Sequence, residues 1–262
     1  MEAFSFGSYY PGDSVLHRLD PRTKLVGGLA FLIVSLLARS FAGLAVIGLF
    51  TAALYLVARI PAGRALRSLA PLCAIIVVVA LLRLFTDDGG RLLFELGFIR
   101  IYEGGVYACV FTSVRMLFMM CVMSLVTMTT MTLDLTHAVE RLLSPLQRFG
   151  VPAHELGMML GIALRFMPQF ASELQTTYRA QVSRGARVAS GPLGGIRMLS
   201  SVSIPLFASI FRHADTLSAA MDARCYHGEQ GRTRLHPLHF GTRDGVAAAL
   251  LAALAAVVIL VG

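Results

Sequence analysis

The chain has 262 residues, of which 56% are hydrophobic and only 15% are charged. A mean hydropathy of +0.71 excludes an ordinary soluble domain and predicts an integral membrane protein. The formal net charge of +8 comes almost wholly from arginine, because Lys24 is the only lysine. No basic run is interleaved with aromatic residues, so this charge indicates loops beside anionic lipid and no nucleic-acid partner.

The apolar runs predict about five transmembrane helices, because one crossing needs roughly 20 apolar residues. The first two runs are separated only by Arg39 and Ser40, which predicts a tight hairpin. The acidic segment 87–105 predicts an external loop with a small element of its own. The predicted spans are 25–38, 41–58, 69–86, 106–131 and 244–261.

Arginine placement predicts the orientation of the spans. Basic residues crowd the segment before the first span and the connection 59–67, whereas the hairpin tip carries only Arg39. The positive-inside rule therefore predicts a cytoplasmic N-terminus. We divide the chain into a four-span bundle at 1–131, a cytoplasmic and interfacial coupling region at 132–243, and a last span at 244–262.

The coupling region contains two moderately apolar stretches, 156–170 and 193–211, each interrupted by an arginine and a proline. If both crossed the membrane, three arginines between them would lie outside, against the positive-inside rule. We therefore predict that they form long helices beneath the bundle or half-sunk in the interface. The fold class predicted for the whole chain is all-α.

The chain lacks the motif of a P-loop ATPase, so any process driven by ATP would need a partner that hydrolyses it. A P-loop needs a GxxxxGK[ST] pattern, and Lys24 lies in "PRTKL" without that glycine frame. Two motifs are suited to binding a soluble partner. In each, an arginine lies between small residues, which allow the partner to approach closely, and its guanidinium presents five hydrogen-bond donors in a rigid plane. These motifs are Ser183-Arg184-Gly185 and Ala223-Arg224-Cys225, the second followed by Gly228 as the expected helix stop.

From spacing alone, both arginines are better explained as ordinary basic residues at cytoplasmic helix ends. Further motifs give the chain a family resemblance, and they keep the family's order over most of the chain. They are "YYPGDSVLHRLDPRTKL" (9–25), "LTHAVERLLSPLQRFGVPAHEL" (135–156), "ALRFMPQF" (163–170), "AQVSRGA" (180–186) and "AMDARCYHGEQGRTRL" (220–235). Together they resemble the transmembrane T component of energy-coupling factor (ECF) transporters.

The resemblance implies that Arg184 and Arg224 end a pair of crossed coupling helices, each docking on one of two ABC-type ATPase subunits. It also implies a second partner, a small substrate-binding membrane subunit (S component) that captures a vitamin or metal ion, and a prokaryotic cell membrane as the location. The family motif is Ala-Arg-Gly, and this chain departs from it at Ser183 and Cys225. No cofactor is implied, and the chain itself is expected to be non-catalytic.

Two alternatives stay open at this stage. One is the dedicated cobalt or nickel form of the same component, although the long opening motif resembles the shared, vitamin-type form more. The other is a polytopic membrane enzyme acting on lipid, which would use His137, His154 or the Asp134 and Glu140 pair. For the carboxylates of the coupling region, including Glu140 and Glu173, pairing with arginine is the default expectation.

Metal sites are weakly indicated. The four cysteines form no CxxC, and neither Cys225-x-His227 nor His236-x-x-His239 has the paired spacing of a zinc site, so we predict no metal. Arg115 lies inside an apolar run and is predicted to snorkel or to form a buried pair. The methionines around it and at 158–159 fit either core filling or an adaptable partner surface.

Overall fold

The computed structural model describes residues 9–87, 89–96, 99–150, 152–185, 192–228 and 240–261. Eight α-helices carry the fold over this part of the chain. They are α1 (Pro21–Leu37), α2 (Phe41–Ala58), α3 (Ala62–Thr86), α4 (Glu103–Thr129), α5 (Thr132–Leu143), α6 (Ala153–Ser183), α7 (Pro192–Ala223) and α8 (Thr242–Val261). A 3₁₀ turn, Ser144–Phe149, follows α5, and two short strands, β1 (Leu92–Leu96) and β2 (Ile99–Tyr102), form an antiparallel hairpin between α3 and α4.

The predicted all-α membrane fold is confirmed. Three helices are long and apolar enough to cross a membrane, namely α2, α4 and α8, and they coincide with the predicted spans 41–58, 106–131 and 244–261. The helices α1 and α3 cover the other two predicted spans, and the described apolar part of α3 is Cys73–Thr86. The small element expected in 87–105 is the β1–β2 hairpin.

Two helices begin earlier than the apolar runs suggest. The helix α1 starts at Pro21, because the Asp20 side chain accepts a hydrogen bond from the Arg22 amide and proline suits the first helical position. The helix α3 starts at Ala62, before its apolar run, because alanine, leucine and arginine all favour helix even where they do not favour lipid.

The described chain forms two compact units. The first, which we call the bundle, contains α1–α4, the start of α5 and α8. Its core joins α1, α2, α4 and α8 through buried side chains, with Phe31, Leu44, Ile47 and Val258 among the most completely enclosed. The second, the α6–α7 unit, runs from Val139 through the two long helices.

Both predicted long helices of the coupling region are present in the α6–α7 unit. Each continues through its internal proline, Pro168 in α6 and Pro205 in α7, so the prolines do not end the helices. Neither helix is among those found long and apolar enough to span a membrane in the described residues.

Candidate partner-docking surface

Helix α6 ends at the first small-Arg-small motif. Ser183 is its last residue, and Arg184 occupies the C-cap, where its amide donates to the Ala180 carbonyl at 3.1 Å. Gly185 follows with a φ of +88°, and its amide donates to the Val182 carbonyl at 3.0 Å. A left-handed residue directly after the C-cap is the usual way to stop a helix and to bond its last carbonyls.

Helix α7 ends in the same way, but with a cysteine where α6 has glycine. Arg224 follows the last helical residue, Ala223, and Cys225 takes a φ of +55°. The Cys225 amide donates to the Asp222 carbonyl at 2.9 Å, and the Tyr226 amide donates to the Met221 carbonyl at 3.1 Å. This pair of bonds is a Schellman motif.

The helix stop expected at Gly228 lies earlier in the chain. Gly228 does adopt a φ of +88°, but it belongs to the turn after the helix, which Cys225 has already ended. The small-Arg-small motif is itself the stop signal in both helices, with arginine as the C-cap.

All six motif residues are exposed, and within the described chain neither arginine side chain has a hydrogen-bond or ion-pair partner. Their positive charges lie at helix C-termini, where the helix dipole favours them. The dipole accounts for a cation at each place, but any lysine or arginine would satisfy it. The dipole does not require the small neighbours that leave each guanidinium accessible.

The two helices cross in an antiparallel sense. At the crossing, Glu173 of α6 accepts a hydrogen bond from the hydroxyl of the buried Ser209 of α7. The Gln169 amide contacts His213 Nε2 at 2.9 Å, while His213 Nδ1 contacts the Ser209 carbonyl at 2.9 Å. Because the carbonyl can only accept, Nδ1 carries the proton and Nε2 accepts from Gln169.

This crossing places the motifs at opposite ends of the pair. At about 1.5 Å per residue, Arg184 lies about 16 Å from the Glu173–Ser209 contact in one direction, and Arg224 lies about 22 Å from it in the other. The pair therefore presents two separate cationic ends, and neither end can serve the same small site as the other.

Apolar surface lines the helices between these ends. A groove of 540 Å³ between α6 and α7 is lined by Leu174, Gln175, Tyr178, Arg179, Met198, Leu199 and Val202. Large apolar side chains of α7 are strongly exposed, among them Leu199 at 68%, Ile204 at 70% and Phe211 at 67%. Exposed apolar surface of this kind marks an interaction site.

Two of the carboxylates expected to pair with arginine contact uncharged or histidine side chains. Glu173 bonds Ser209, and Glu140 lies 3.2 Å from His154 Nδ1, with both side chains nearly buried. Asp134, the other carboxylate considered for an enzyme, lies in the bundle, where its negative charge attracts the ammonium of Lys24. The described residues contain no group of three His, Cys, Asp or Glu side chains able to hold a metal; His236 and His239 lie outside them.

The remaining candidates divide between core and surface. Arg115 is half-buried, and its guanidinium lies 5.4 Å from the centre of the Phe111 ring, which gives it a cation–π contact. Its snorkelling stays a prediction. Met128 belongs to a buried cluster of the bundle, whereas Met123, Met131 and Met159 are exposed. Sequence reasoning missed Ser209 and His213, which only the packing of α6 on α7 reveals.

Comparison with known proteins agrees with the resemblance found in the motifs. The family model described as "Cobalt transport protein" (CbiQ) matches residues 12–235. The chain is 41% identical over 251 residues to the energy-coupling factor transporter transmembrane protein EcfT of Acidaminococcus fermentans, covering 95% of this chain and 93% of the relative. It is 36% identical to the protein of that name from Bacillus subtilis, covering 93% and 92%, and 39% identical to that from Brevibacillus brevis, covering 95% and 94%. The chain thus belongs to the CbiQ family, as a transmembrane T component of energy-coupling factor transporters.

Proposed function

We propose that the chain is the scaffold and coupling subunit of an ECF-type importer. In this role it binds two ABC-type ATPase subunits and one S component, and it hydrolyses no ATP itself. The observation that carries the proposal is the pair of exposed arginines, Arg184 and Arg224, each at the capped end of one of two crossing antiparallel helices. The names of the relatives support the transport role.

Each arginine suits a groove on an ATPase. A guanidinium presents its donors in a fixed plane, and small flanking residues let the partner's surface approach the helix end. Two helix ends facing apart fit a dimeric partner with one groove per subunit. Linking the two contacts in one chain raises the effective concentration of the second after the first has formed.

The exposed apolar side chains of 156–170, and those of 198–211 within the predicted stretch 193–211, are the proposed binding surface for the S component. These side chains, such as Met159 at 53% and Phe207 at 58% exposure, are too apolar to be left in water. We favour the shared form of the component, taking vitamin-type cargo, because the long opening motif at 9–25 resembles that form more. The dedicated cobalt form is the second candidate, since the family description names cobalt.

The proposed orientation is a multi-pass protein of a prokaryotic cell membrane with the N-terminus and the α6–α7 unit in the cytoplasm. Cys225 offers a direct test, because it is exposed beside Arg224. After the other three cysteines are replaced by alanine, an impermeant maleimide should label Cys225 in inside-out vesicles only. Labelling on intact cells would refute this orientation.

The function is tested by reversing the charge of each docking arginine. Arg184→Glu and Arg224→Glu should each weaken one ATPase contact, by on the order of 2–5 kcal/mol for loss of a buried charged contact. Either single variant should lose substrate uptake while partly retaining the ATPases, and the double variant should lose them in co-purification. The folded membrane part should persist, because neither side chain is buried.

The matched control is Arg212→Glu, which makes the same charge change at an exposed position inside α7, away from the groove between the two helices. Uniform losses across all variants would show that only overall positive charge matters. An intact complex in the double variant would reduce both arginines to ordinary helix-end residues. Nucleotide turnover by the purified single chain would refute the scaffold role.

A further inference from the structure

The only lysine of the chain is buried in the bundle. Lys24 is 9% exposed, and its ammonium donates to two backbone carbonyls, that of Thr129 at 2.8 Å and that of His17 at 3.0 Å. Its position before the first span suggested a cytoplasmic cation beside lipid headgroups. A buried cation with two carbonyl partners has a different task, because lipid contact needs neither burial nor fixed hydrogen bonds.

The Thr129 carbonyl belongs to the last residue of α4, and the last four carbonyls of any helix lack partners within that helix. Lys24 supplies one such partner, and the Tyr10 amide supplies another by donating to the Met128 carbonyl at 2.9 Å. The ammonium is also a positive charge at a helix C-terminus, which the helix dipole favours. The end of α4 is therefore held by side-chain and backbone donors from the N-terminal segment and α1.

Residues 130–131 join α4 to α5, and we call them the α4–α5 joint. The residues on the α5 side of this joint include an acidic side chain. Helix α5 begins at Thr132, and Asp134 in its first turn attracts the Lys24 ammonium. Asp20 and Asp244 add to the same field, and the Asp20 amide donates to Asp244 Oδ1 at 3.0 Å, which ties α8 to the start of α1. Lys24 thus has the end of one helix and the start of the next as its neighbours.

We propose that Lys24 is a positioning residue that fixes the α4–α5 joint, so that movement of α5 is passed to the membrane bundle. The inference rests on the proposed coupling function. Helix α5 is unbroken from Thr132 to Leu143, and beyond Ala138 it belongs to the α6–α7 unit. A loose joint would let α5 turn about residues 130–131 without moving α4.

The charge of Lys24 makes the joint sensitive to pH. Burial lowers the pKa of Lys24 from 10.5 to about 8. The negative charges of Asp134, Asp20 and Asp244 act in the opposite direction and raise this pKa. Arg22 is a further charged group, which lies beside Asp20. Above pH 8 the folded protein holds a neutral amine. Hydrogen bonds from a charged donor are roughly twice as strong as neutral ones, so the hold on the Thr129 carbonyl should weaken as pH rises through 8.

The test uses the assembled transporter in vesicles, with uptake measured per ATP hydrolysed. Lys24→Met should retain both ATPases, but its uptake per ATP should fall on the order of tenfold, the factor expected for one lost charge-assisted hydrogen bond. In the wild type this ratio should fall several-fold from pH 7 to pH 9. In Lys24→Arg it should stay flat, because arginine keeps its charge at both pH values.

Arg18→Met is the control, because it removes a nearby cation whose only described ion pair, with Asp13 at 3.7 Å, is exposed. Unchanged uptake per ATP in Lys24→Met, or the same pH slope in the wild type and Lys24→Arg, would overturn the proposal. If Lys24→Met does not assemble, the pH comparison decides; if neither variant assembles, the role is purely structural and the proposal fails. A wild type that binds no ATPase would instead refute the proposed function.

Discussion

Both units of the chain expose large apolar side chains, but for different reasons. In the bundle, Leu49 is 75% and Leu56 is 79% exposed, and both lie on α2, a helix able to span a membrane. In the α6–α7 unit, Ile204 and Phe211 are nearly as exposed, but α7 does not meet that description. Lipid accounts for the first surface, whereas the second requires a protein partner or the membrane interface.

The two units also differ in how they place the cations Lys24, Arg184 and Arg224. The bundle encloses Lys24 and gives it two carbonyl partners, as expected where an unpaired buried charge would be costly. The α6–α7 unit leaves Arg184 and Arg224 exposed at its ends. The bundle therefore uses the charge of Lys24 for internal order, whereas in the proposed function the α6–α7 unit uses its two exposed arginines for binding.

The largest expected effect is on the free energy of unfolding, and it distinguishes a core residue of the bundle from a residue on the proposed S-component surface. Leu44→Ala in the bundle core, where Leu44 is 2% exposed, should lower the free energy of unfolding by about 2–5 kcal/mol. Phe211→Ala should change it by less than about 0.5 kcal/mol, yet it should weaken capture of the S component. Thermal melting in detergent and co-purification measure the two quantities. Equal destabilisation by both substitutions would show that Phe211 belongs to a core and not to a face.

The second effect tests a tight contact between α5 and α6 within the α6–α7 unit. A Cβ at Gly157 would overlap three carbons of the Glu140 side chain, which is held by His154. Gly157→Ala should therefore lower the free energy of unfolding by about 1–3 kcal/mol, the usual cost of overpacking.

Gly161 is the matched control, one turn further along α6. No described atom lies within 4 Å of the position that a Cβ would take there, so Gly161→Ala should raise the free energy of unfolding by about 0.5–1 kcal/mol. Opposite signs in melting experiments support this packing of α5 on α6. If both substitutions stabilise the protein, the Glu140–His154 pair is not a fixed contact.

Most helices could be predicted because their causes are local. The predicted span 41–58 has the same first and last residues as α2, since Ser40 caps the helix and Arg59 adopts a left-handed conformation after it. The start of α1 was also predictable, because Asp20 followed by Pro21 is a helix-start signal. What local signals could not show was the burial of Lys24, which depends on the Thr129 carbonyl far along the chain.

The docking motifs were found from residue type, but their geometry was not. Small residues around arginine indicated a helix end, and in both helices the arginine is the C-cap itself. The resemblance implied that the two helices cross, but their antiparallel register was not predictable, because the contact of Glu173 with Ser209 joins two helices whose sequences carry no mutual register. The default of pairing Glu173 with an arginine failed for the same reason.

The smallest effect concerns Cys225, which stands where the family motif has glycine and which adopts a backbone conformation that favours glycine. Cys225 adopts a φ of +55°, which costs an L-residue with a side chain roughly 1–2 kcal/mol and costs glycine almost nothing. Cys225→Gly should therefore raise the free energy of unfolding by about 1 kcal/mol, partly offset by glycine's greater freedom in the unfolded chain. Gly185→Ala at the end of α6, where φ is +88°, should lower the free energy of unfolding by a similar amount.

Melting temperatures of the two variants in detergent provide the measurement. ATPase co-purification should be unchanged for Cys225→Gly, because the position of Arg224 is kept. Loss of the ATPases in that variant would show that the thiol itself contacts the partner, and the α7 end would then be a docking site specific to cysteine.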